Sequence, residues 1–430
     1  MAEPARQIDR DSPIKTGSPV FKLYKPAPGH PDWNEIFRDA EKQAKEIAEI
    51  IALDRHTLAE KIAREQRRLA GYWTAVKNFY VNRRRLKAHD HALRPIYFIW
   101  TMLNACNFRC TYCDDHMGRS YFELPEKGRL TTEQGKKLLK IMRTGTSCIY
   151  FCGGEPTMRA DLPELLNEAH RLKYFPCIIN SNGSLFHEIL LKPAWGNFLK
   201  QMDIIIVSVD GLNTALMDKV YQVEQCRRVL TNVLTLRKLQ SLVGFKLVVN
   251  TVIMPETISE AAAVLDWAND LGIWFVPVPV NEASHADSRL LASADYQKLA
   301  QTIVQRRQQG YKLVGSAKLL EMLVFGKPYK CFTTLKPHID FDGHVLWPCK
   351  ATSNLKPVRV NVLDYSTVDE LYEAASKLIN PNNYHGSGPN QCGGNCNWMQ
   401  NYTTEIYMQG LLHPLQNGFI REVREFTGTI

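Results

Sequence analysis

Ahead of residue 95 the chain repeats its apolar positions at helical spacing, and beyond it the period changes. From Trp33 to about Val81, the residues Ile36, Phe37, Ile47, Ile50, Ile51, Leu58, Ile62, Leu69, Trp73 and Val76 predict two or three amphipathic helices. Residues 1–30 are rich in Pro and Gly and read as a loosely ordered tail. After Pro95, short apolar runs alternate with longer helical stretches, the signature of βα units that build a parallel sheet. Six strands are expected, near 96–103, 147–152, 175–180, 203–209, 245–254 and 273–280. The intervening helices are expected near 131–144, 161–173, 185–200, 213–240 and 257–271, with Thr131 and Gln134 spaced as a capping box. Pro277 and Pro279 cannot donate to a ladder, so the sixth strand belongs at an edge. Six units do not close an eight-stranded barrel, and the fold class is α/β, a partial (β/α)6 TIM barrel. Helical periodicity continues to Phe325, where Gly326 and Pro328 end it, and from Cys331 short strands, turns and cysteines lead to a helix near the C-terminus. The expected organisation is a tail and helical extension over 1–95, the barrel core over 96–285, a helical connection over 286–330 and a small domain over 331–430.

Composition narrows the class. With 430 residues, 45% hydrophobic and 23% charged, the chain is neither a small disulfide scaffold nor a disordered polymer. No apolar run reaches the roughly 18 residues that span a bilayer, and Met1 to Asp11 is charged where a signal peptide is apolar. A soluble, cytoplasmic protein is the expectation. The net charge of +9 is concentrated between residues 61 and 94, where ten basic side chains face only Glu65 and Asp90. Such a segment is either a solvated helix face or a means of holding an anionic partner, including peripheral contact with a membrane. No strong nucleic-acid signal accompanies it.

Eleven cysteines, an odd number concentrated in two places, argue for metal or redox chemistry over a disulfide framework. The first set is Cys106, Cys110 and Cys113, directly after the first expected strand. Three thiolates on one loop can hold three irons of a cubane and leave the fourth iron open. His116 lies outside the spacings of zinc knuckles. At the end of the second strand stands Cys152-Gly153-Gly154-Glu155-Pro156, where glycines permit close backbone approach and Glu155 offers an acceptor for an ammonium group. Asn180, Asn182, Ser208, Asp210 and Asn250 fall at the ends of later strands, where barrels place their chemistry. Cys148, Cys152, Cys177 and Cys226 lie in expected strands or helices and read as core.

The triplet, its place after the first strand and the Gly-Gly-Glu-Pro element together resemble the radical S-adenosylmethionine (AdoMet) enzymes, a resemblance that covers residues 96 to about 280. It implies a 4Fe-4S cluster on Cys106, Cys110 and Cys113 that binds the amine and carboxylate of AdoMet's methionine. It also implies one-electron cleavage of the sulfonium and a 5'-deoxyadenosyl radical that abstracts a substrate hydrogen. By the same resemblance Gly153, Gly154, Glu155 and Pro156 meet the methionine end, and Ser208 and Asp210 meet the ribose. Asn180, Asn182 and Asn250 are further polar contacts, Val278 backbone is near the adenine, and Tyr112 is the aromatic before the third cysteine. The segment from Asp114 to Arg129 departs from the family's usual length.

The second set is Cys331 and Cys349, which bracket an Asp342-Gly343 hairpin signal, with Cys392 and Cys396 around Gly393-Gly394-Asn395. Four thiols suit one cluster or one tetrahedral zinc. The arrangement resembles the auxiliary-cluster domains of radical AdoMet enzymes in the shorter twitch form, although one extra residue between Gly343 and Cys349 departs from the SPASM pattern. Three functions follow. The first is a radical AdoMet enzyme acting on a peptide, sugar or other metabolite, with an auxiliary 4Fe-4S cluster as electron acceptor or substrate ligand and a flavodoxin or ferredoxin as reductant. The second is the same chemistry on a lipid or membrane-bound substrate. The third is a non-catalytic iron-sulfur or zinc protein. No general base or hydrogen-donor cysteine is identified.

Overall fold

The computed structural model describes residues 28–50, 57–113, 128–282, 285–350, 357–384, 392, 394 and 396–412. Nearly all of the expected tail, His116, most of Asp114 to Arg129 and the last residues of the chain lie outside them.

Six parallel strands follow one another in space as they do in sequence: β1 (Phe98–Thr101), β2 (Ile149–Cys152), β3 (Cys177–Ser181), β4 (Ile204–Ser208), β5 (Lys246–Ile253) and β6 (Trp274–Pro279). Each lies within a few residues of its expected place. β6 ends the strand order, as its two prolines require. The register sets two faces. Tyr97, Ile99, Cys148, Ile178, Ile204, Val248, Trp274 and Val276 pack together inside the barrel. The alternate residues Phe98, Trp100, Ile149, Phe151, Cys177, Ile179, Ile205, Leu247 and Phe275 pack outward against helices. The architecture is an open α/β partial barrel.

The helical layer starts with α1 (Trp33–Ile50) and α2 (Leu58–Lys87), the N-terminal extension. α3 (Thr132–Met142), α4 (Leu162–Arg171), α5 (Phe186–Leu190), α6 (Phe198–Gln201), α7 (Thr214–Tyr221), α8 (Cys226–Val243) and α9 (Ile258–Asp270) cross over between strands. The Thr131 capping box forms, with Gln134 N–H donating to Thr131 Oγ1 and Thr131 N–H donating to Gln134 Oε1 at 2.9 Å. Two expected helices are each broken in two. Pro193 opens a separate 3-10 turn between α5 and α6, and Gln222 takes a left-handed φ of +55° between α7 and α8. After β6 come a short hairpin of β7 (Asn281–Glu282) and β8 (His285–Ala286), then α10 (Ser288–Ala292), α11 (Ala294–Gln308) and α12 (Ala317–Val324).

The sheet does not stop at β1. β9 (His338–Ile339) pairs parallel to it, and β10 (His344–Trp347) and β11 (Val358–Asn361) continue outward antiparallel. The hairpin expected at Asp342-Gly343 is there, with Gly343 at φ +85° and its N–H donating to Asp340 O at 3.0 Å. α13 (Val368–Leu378) and α14 (Met399–Leu412) complete the described chain. Among the described residues no helix is long and apolar enough to cross a membrane.

α2 is amphipathic, but the face it buries is the polar one. Arg67, Gly71, Asn78 and Asn82 point inward, while Leu58, Ile62, Leu69, Trp73, Val76 and Tyr80 are exposed. The inner face is satisfied partner by partner. Arg67 forms a bidentate pair with Asp203 at 2.7 and 2.8 Å and donates to Tyr174 O at 2.7 Å. Asn78 donates to Gly145 O at 2.6 Å, and Asn82 exchanges two hydrogen bonds with the Arg94 backbone at 2.8 and 2.9 Å. A Cβ on Gly71 would stand 3.0 Å from Phe175 O, so the helix lies close against the bottom of the barrel.

Two outcomes are expected of this packing. Arg67→Ala leaves Asp203 buried without its partner and should cost about 3–5 kcal/mol in chemical unfolding. His170, whose Nε2 meets Gln201 O at 2.7 Å, has its pKa lowered to about 4 by burial and by the nearby Arg67. The unfolded chain therefore takes up this proton first, and stability drains as pH falls from about 6.5 towards about 4. In His170→Gln that part of the acid slope should vanish, a difference of about 2–3 kcal/mol between the two proteins' losses over this range.

Candidate functional site

The loop from Asn104 to Cys113 leaves β1 and lies across the C-terminal mouth of the barrel, tied to the ends of three other strands. From β2, Gly154 N–H donates to Leu103 O at 3.0 Å and Glu155 N–H donates to Ala105 O at 2.8 Å. From β3, Asn182 Nδ2 donates to Asn107 Oδ1 at 2.8 Å, and Asn107 in turn donates to Ser184 Oγ at 2.9 Å. From β4, Asp210 accepts from the Tyr112 hydroxyl. The end of α7 adds two backbone carbonyls, Tyr221 O for Arg109 N–H at 3.0 Å and Val220 O for Thr111 N–H at 2.9 Å.

The glycines of the Gly-Gly-Glu-Pro element serve this loop. A Cβ on Gly154 would be 1.9 Å from Ala105 O, and one on Gly153 would be 2.6 Å from Leu103 O. Gly153 also has φ +145°, which L side chains rarely adopt. The close approach that the sequence suggested is thus made by protein backbone. Pro156 is buried and opens the 3-10 turn that Glu155 caps.

Glu155 is fully buried and its carboxylate is well occupied: Thr157 donates from N–H and hydroxyl, Ser181 Oγ donates at 2.8 Å and Asn182 N–H at 2.7 Å. Burial pushes its pKa up, and these hydrogen bonds pull it partly back. Asp210 is also fully buried, accepting from Tyr112 and, at 2.8 Å, from Val252 N–H, with its pKa pushed up to about 6 by burial.

Asn180, Ser208, Asn250 and Val278 lie on β3 to β6 around the upper barrel interior, with Ser208 beside Asn250 in the register. Asn180 Oδ1 and Asn250 Oδ1 are buried and have no hydrogen-bond partner among the described residues. Two acceptors left open at a cavity wall fit a polar ligand that would satisfy them. Cys106 and Cys110 are half-buried; burial pushes the Cys106 thiol up to about 12 and raises Cys110 as well. Cys113 is their close neighbour on the loop, its N–H donating to Cys110 O at 3.1 Å. The Cys106 and Cys110 thiols thus keep their protons until a metal displaces them, so loading would be pH-dependent.

The second set is assembled from distant parts of the chain. Cys349, Cys392 and Cys396 are buried around Tyr384, and the Cys331 thiol interacts with Cys349 and Cys396. Burial pushes Cys331 up to about 12. Among the described residues no three Cys, His, Asp or Glu side chains meet at single-ion spacing. A cubane takes its thiolates on separate irons, and so needs a looser set than a tetrahedral ion. In donor chemistry both thiol sets fit a cluster.

Sequence reasoning missed two residues here. Arg159 is fully buried and donates to Met102 O at 3.0 Å, Leu130 O at 2.9 Å and the Asp161 carboxylate, tying β1's exit to the turn after Pro156. Tyr384 is buried amid the second thiol set, its hydroxyl without a hydrogen-bond partner among the described residues. A basic residue beyond Gly-Gly-Glu-Pro and a lone Tyr carry no spacing signal. Cys152 is half-buried on the inner side of β2, its thiol pushed up to about 11 by burial.

Comparison with known proteins agrees with this arrangement. Residues 100–268 match the family model of the radical SAM superfamily. Fe-coproporphyrin III synthase of Methanosarcina barkeri is 37% identical over 117 residues, 26% of this chain and 27% of the relative. AdoMet-dependent heme synthase of Oleidesulfovibrio alaskensis is 24% identical over 212 residues, 46% of this chain and 50% of the relative. The chain thus spans between about a quarter and a half of the length of these curated relatives. Streptococcus suis SuiB bound to S-adenosylmethionine shares the fold at a TM-score of 0.52 and 18% identity, over 67% of this chain and 68% of that one.

Gly154→Ala should displace the cysteine loop without touching a thiol. Anaerobically reconstituted variant protein is expected to lose about four irons, one cubane. Full iron content in a folded Gly154→Ala protein would refute this role for the glycine.

Proposed function

Since residues 100–268 are a radical SAM domain, we propose that the whole chain is a radical AdoMet enzyme with one auxiliary 4Fe-4S cluster. The observation that carries this reading is the pinning of the Cys106–Cys113 loop by Gly154, Glu155, Asn182 and Asp210, since three separated sequence motifs meet on one loop. When bound, the cluster and AdoMet supply reductive cleavage of a sulfonium and a carbon-centred radical able to take hydrogen from a substrate.

The chain's own residues hold and shape that site. Cys106, Cys110 and Cys113 would bind three irons. Glu155 organises the ends of β2 and β3, and its less occupied Oε2, which accepts from Asn182 N–H at 2.7 Å, is the oxygen that would meet the methionine ammonium. Asn180 and Asn250 would give their open acceptors to AdoMet, with Ser208 and the Val278 backbone beside them. The apolar barrel interior excludes water from the reacting carbon. Cys331, Cys349, Cys392 and Cys396 would hold the auxiliary cluster, which suits an electron acceptor or a substrate ligand. A small flavodoxin- or ferredoxin-like protein would supply the electron.

Anaerobic reconstitution should give about eight irons, and replacing Cys106, Cys110 and Cys113 together with Ala should leave about four. Reduced protein should convert AdoMet to 5'-deoxyadenosine. Cys349→Ala should lose the second cluster's spectroscopic signals and keep that cleavage. No 5'-deoxyadenosine with both clusters loaded would sink the radical reading, and zinc bound by the second set would sink the auxiliary cluster.

A further inference from the structure

α2 shows the inverse of an ordinary surface helix. At about 3.6 residues per turn, Ile62, Leu69, Trp73, Val76 and Tyr80 form one continuous stripe, diametrically opposite the buried Arg67, Gly71, Asn78 and Asn82. Trp73 is 73% exposed and Tyr80 68%. A scatter of single apolar residues on a surface needs no explanation, but an ordered stripe along a whole helix does. Its flanks are basic. Lys61, Lys77, Arg83, Arg84 and Lys87 are exposed, and none has an acidic partner within ion-pair distance among the described residues. The basic residues of this segment that do hold ion pairs are Arg64, Arg67, Arg85 and Arg94, on or beside the inner face against Asp203 and Asp369, and Arg68, against its helix neighbour Glu65. An apolar stripe with Trp and Leu, edged by unpaired Lys and Arg, has the composition of a helix lying in the interfacial plane of an anionic bilayer. A second copy of this chain would bring the same cations against themselves.

The inner side of the same helix walls a cavity. Gly71, Thr74, Ala75 and Asn78 line a space of about 440 Å³ that runs up the barrel interior between Lys246 and Asn250. Those two residues are four apart on β5, about 13 Å at strand rise. The wall is chiefly apolar: Tyr97, Ile178, Ile204, Ile206, Val248 and Val276. Close-packed interiors do not leave voids of this size; its upper end, at Asn180, Asn250 and Val278, is the part given to AdoMet above, and the apolar remainder that runs down towards Lys246 suits a hydrocarbon chain.

We propose that the substrate is a membrane lipid, whose apolar chain enters the barrel interior while α2 lies on an anionic bilayer. The docking part stands on α2 alone; the substrate part rests on the radical AdoMet reading above. The test is flotation with vesicles of phosphatidylcholine, or of phosphatidylcholine mixed with phosphatidylglycerol, followed by mass spectrometry of lipid retained by the re-isolated protein. Wild-type protein should float with the mixed vesicles, lose that binding in high salt, and retain lipid. Leu69→Ser/Trp73→Ser, on the solvent side and away from the cysteine loop, should bind about tenfold more weakly, the loss of two apolar anchors. Ile206→Trp, which fills the interior, should float normally and retain little lipid; if that variant does not fold, Ile178→Phe serves the same comparison. Equal binding to both vesicle types, or a Leu69→Ser/Trp73→Ser variant that changes self-association and leaves vesicle binding intact, would overturn the docking. Flotation with no lipid retained by wild-type protein would overturn the substrate class. None of these readouts uses AdoMet cleavage, so they fail separately from iron content and 5'-deoxyadenosine formation.

Discussion

Burying a carboxylate is costly unless donors surround it, and that constraint organises the mouth of the barrel. Glu155 has no solvent contact, and it collects donors from its own turn and from the end of β3. Satisfying it fixes Ser181 and Asn182 relative to β2. Asn182 then reaches Asn107, so the loop that carries the three thiols inherits its position from the carboxylate's needs. Gly154 lets the same turn touch Ala105 where any side chain would collide. Order at the thiols is thus bought from one buried charge and one missing Cβ, not from the cysteines themselves.

The barrel below is divided by strand parity. Residues one apart on each strand go to different environments, the outward set into a helix-covered core and the inward set into the open interior. This is why Cys177 packs under the helices with Arg67 and Asp203 nearby, while Cys148 and Cys152, on the alternate parity of β2, face inward. Lys246 stands at the lower end of β5 with its ammonium 3.6 Å from the centre of the Trp274 ring. A cation held over an aromatic face tolerates an apolar surround better than a bare one.

How much of this the sequence carried follows from which forces are local. Strand positions were legible because a buried parallel strand is a run of apolar residues, and β6 was placed at the edge by Pro277 and Pro279. The breaks at Pro193 and Gln222 were missed: a helical repeat persists in the side chains on both sides of each, and only the backbone departs. The orientation of α2 was not legible at all. Periodicity shows that a helix has two faces, and burial usually goes to the apolar one; here the polar face wins because Asp203 and Gly145, far along the chain, and the Arg94 backbone just beyond the helix supply partners. Arg159 and Tyr384 were invisible for the same reason, since their partners and surroundings come from other segments.

The two thiol sets are far apart in sequence, yet one sheet connects them. β9 begins seven residues after Cys331, beyond a 3-10 turn, and pairs with β1 at Ile99 and Trp100, and β1 runs directly into the loop that carries Cys106. β10 then returns antiparallel beside β9 and delivers Cys349 two residues beyond its end. Both the loop and the hairpin are therefore appended to the same hydrogen-bonded ladder, with Trp347 of β10 packed on Tyr372 and donating to Ile379 O at 2.8 Å to hold the outer end. A ladder of this kind resists sliding, because a one-residue slip would turn every side chain to the opposite face. The separation between the Cys106–Cys113 loop and Cys349 is thereby set by strand register, a stiffer constraint than a loop or a linker would impose.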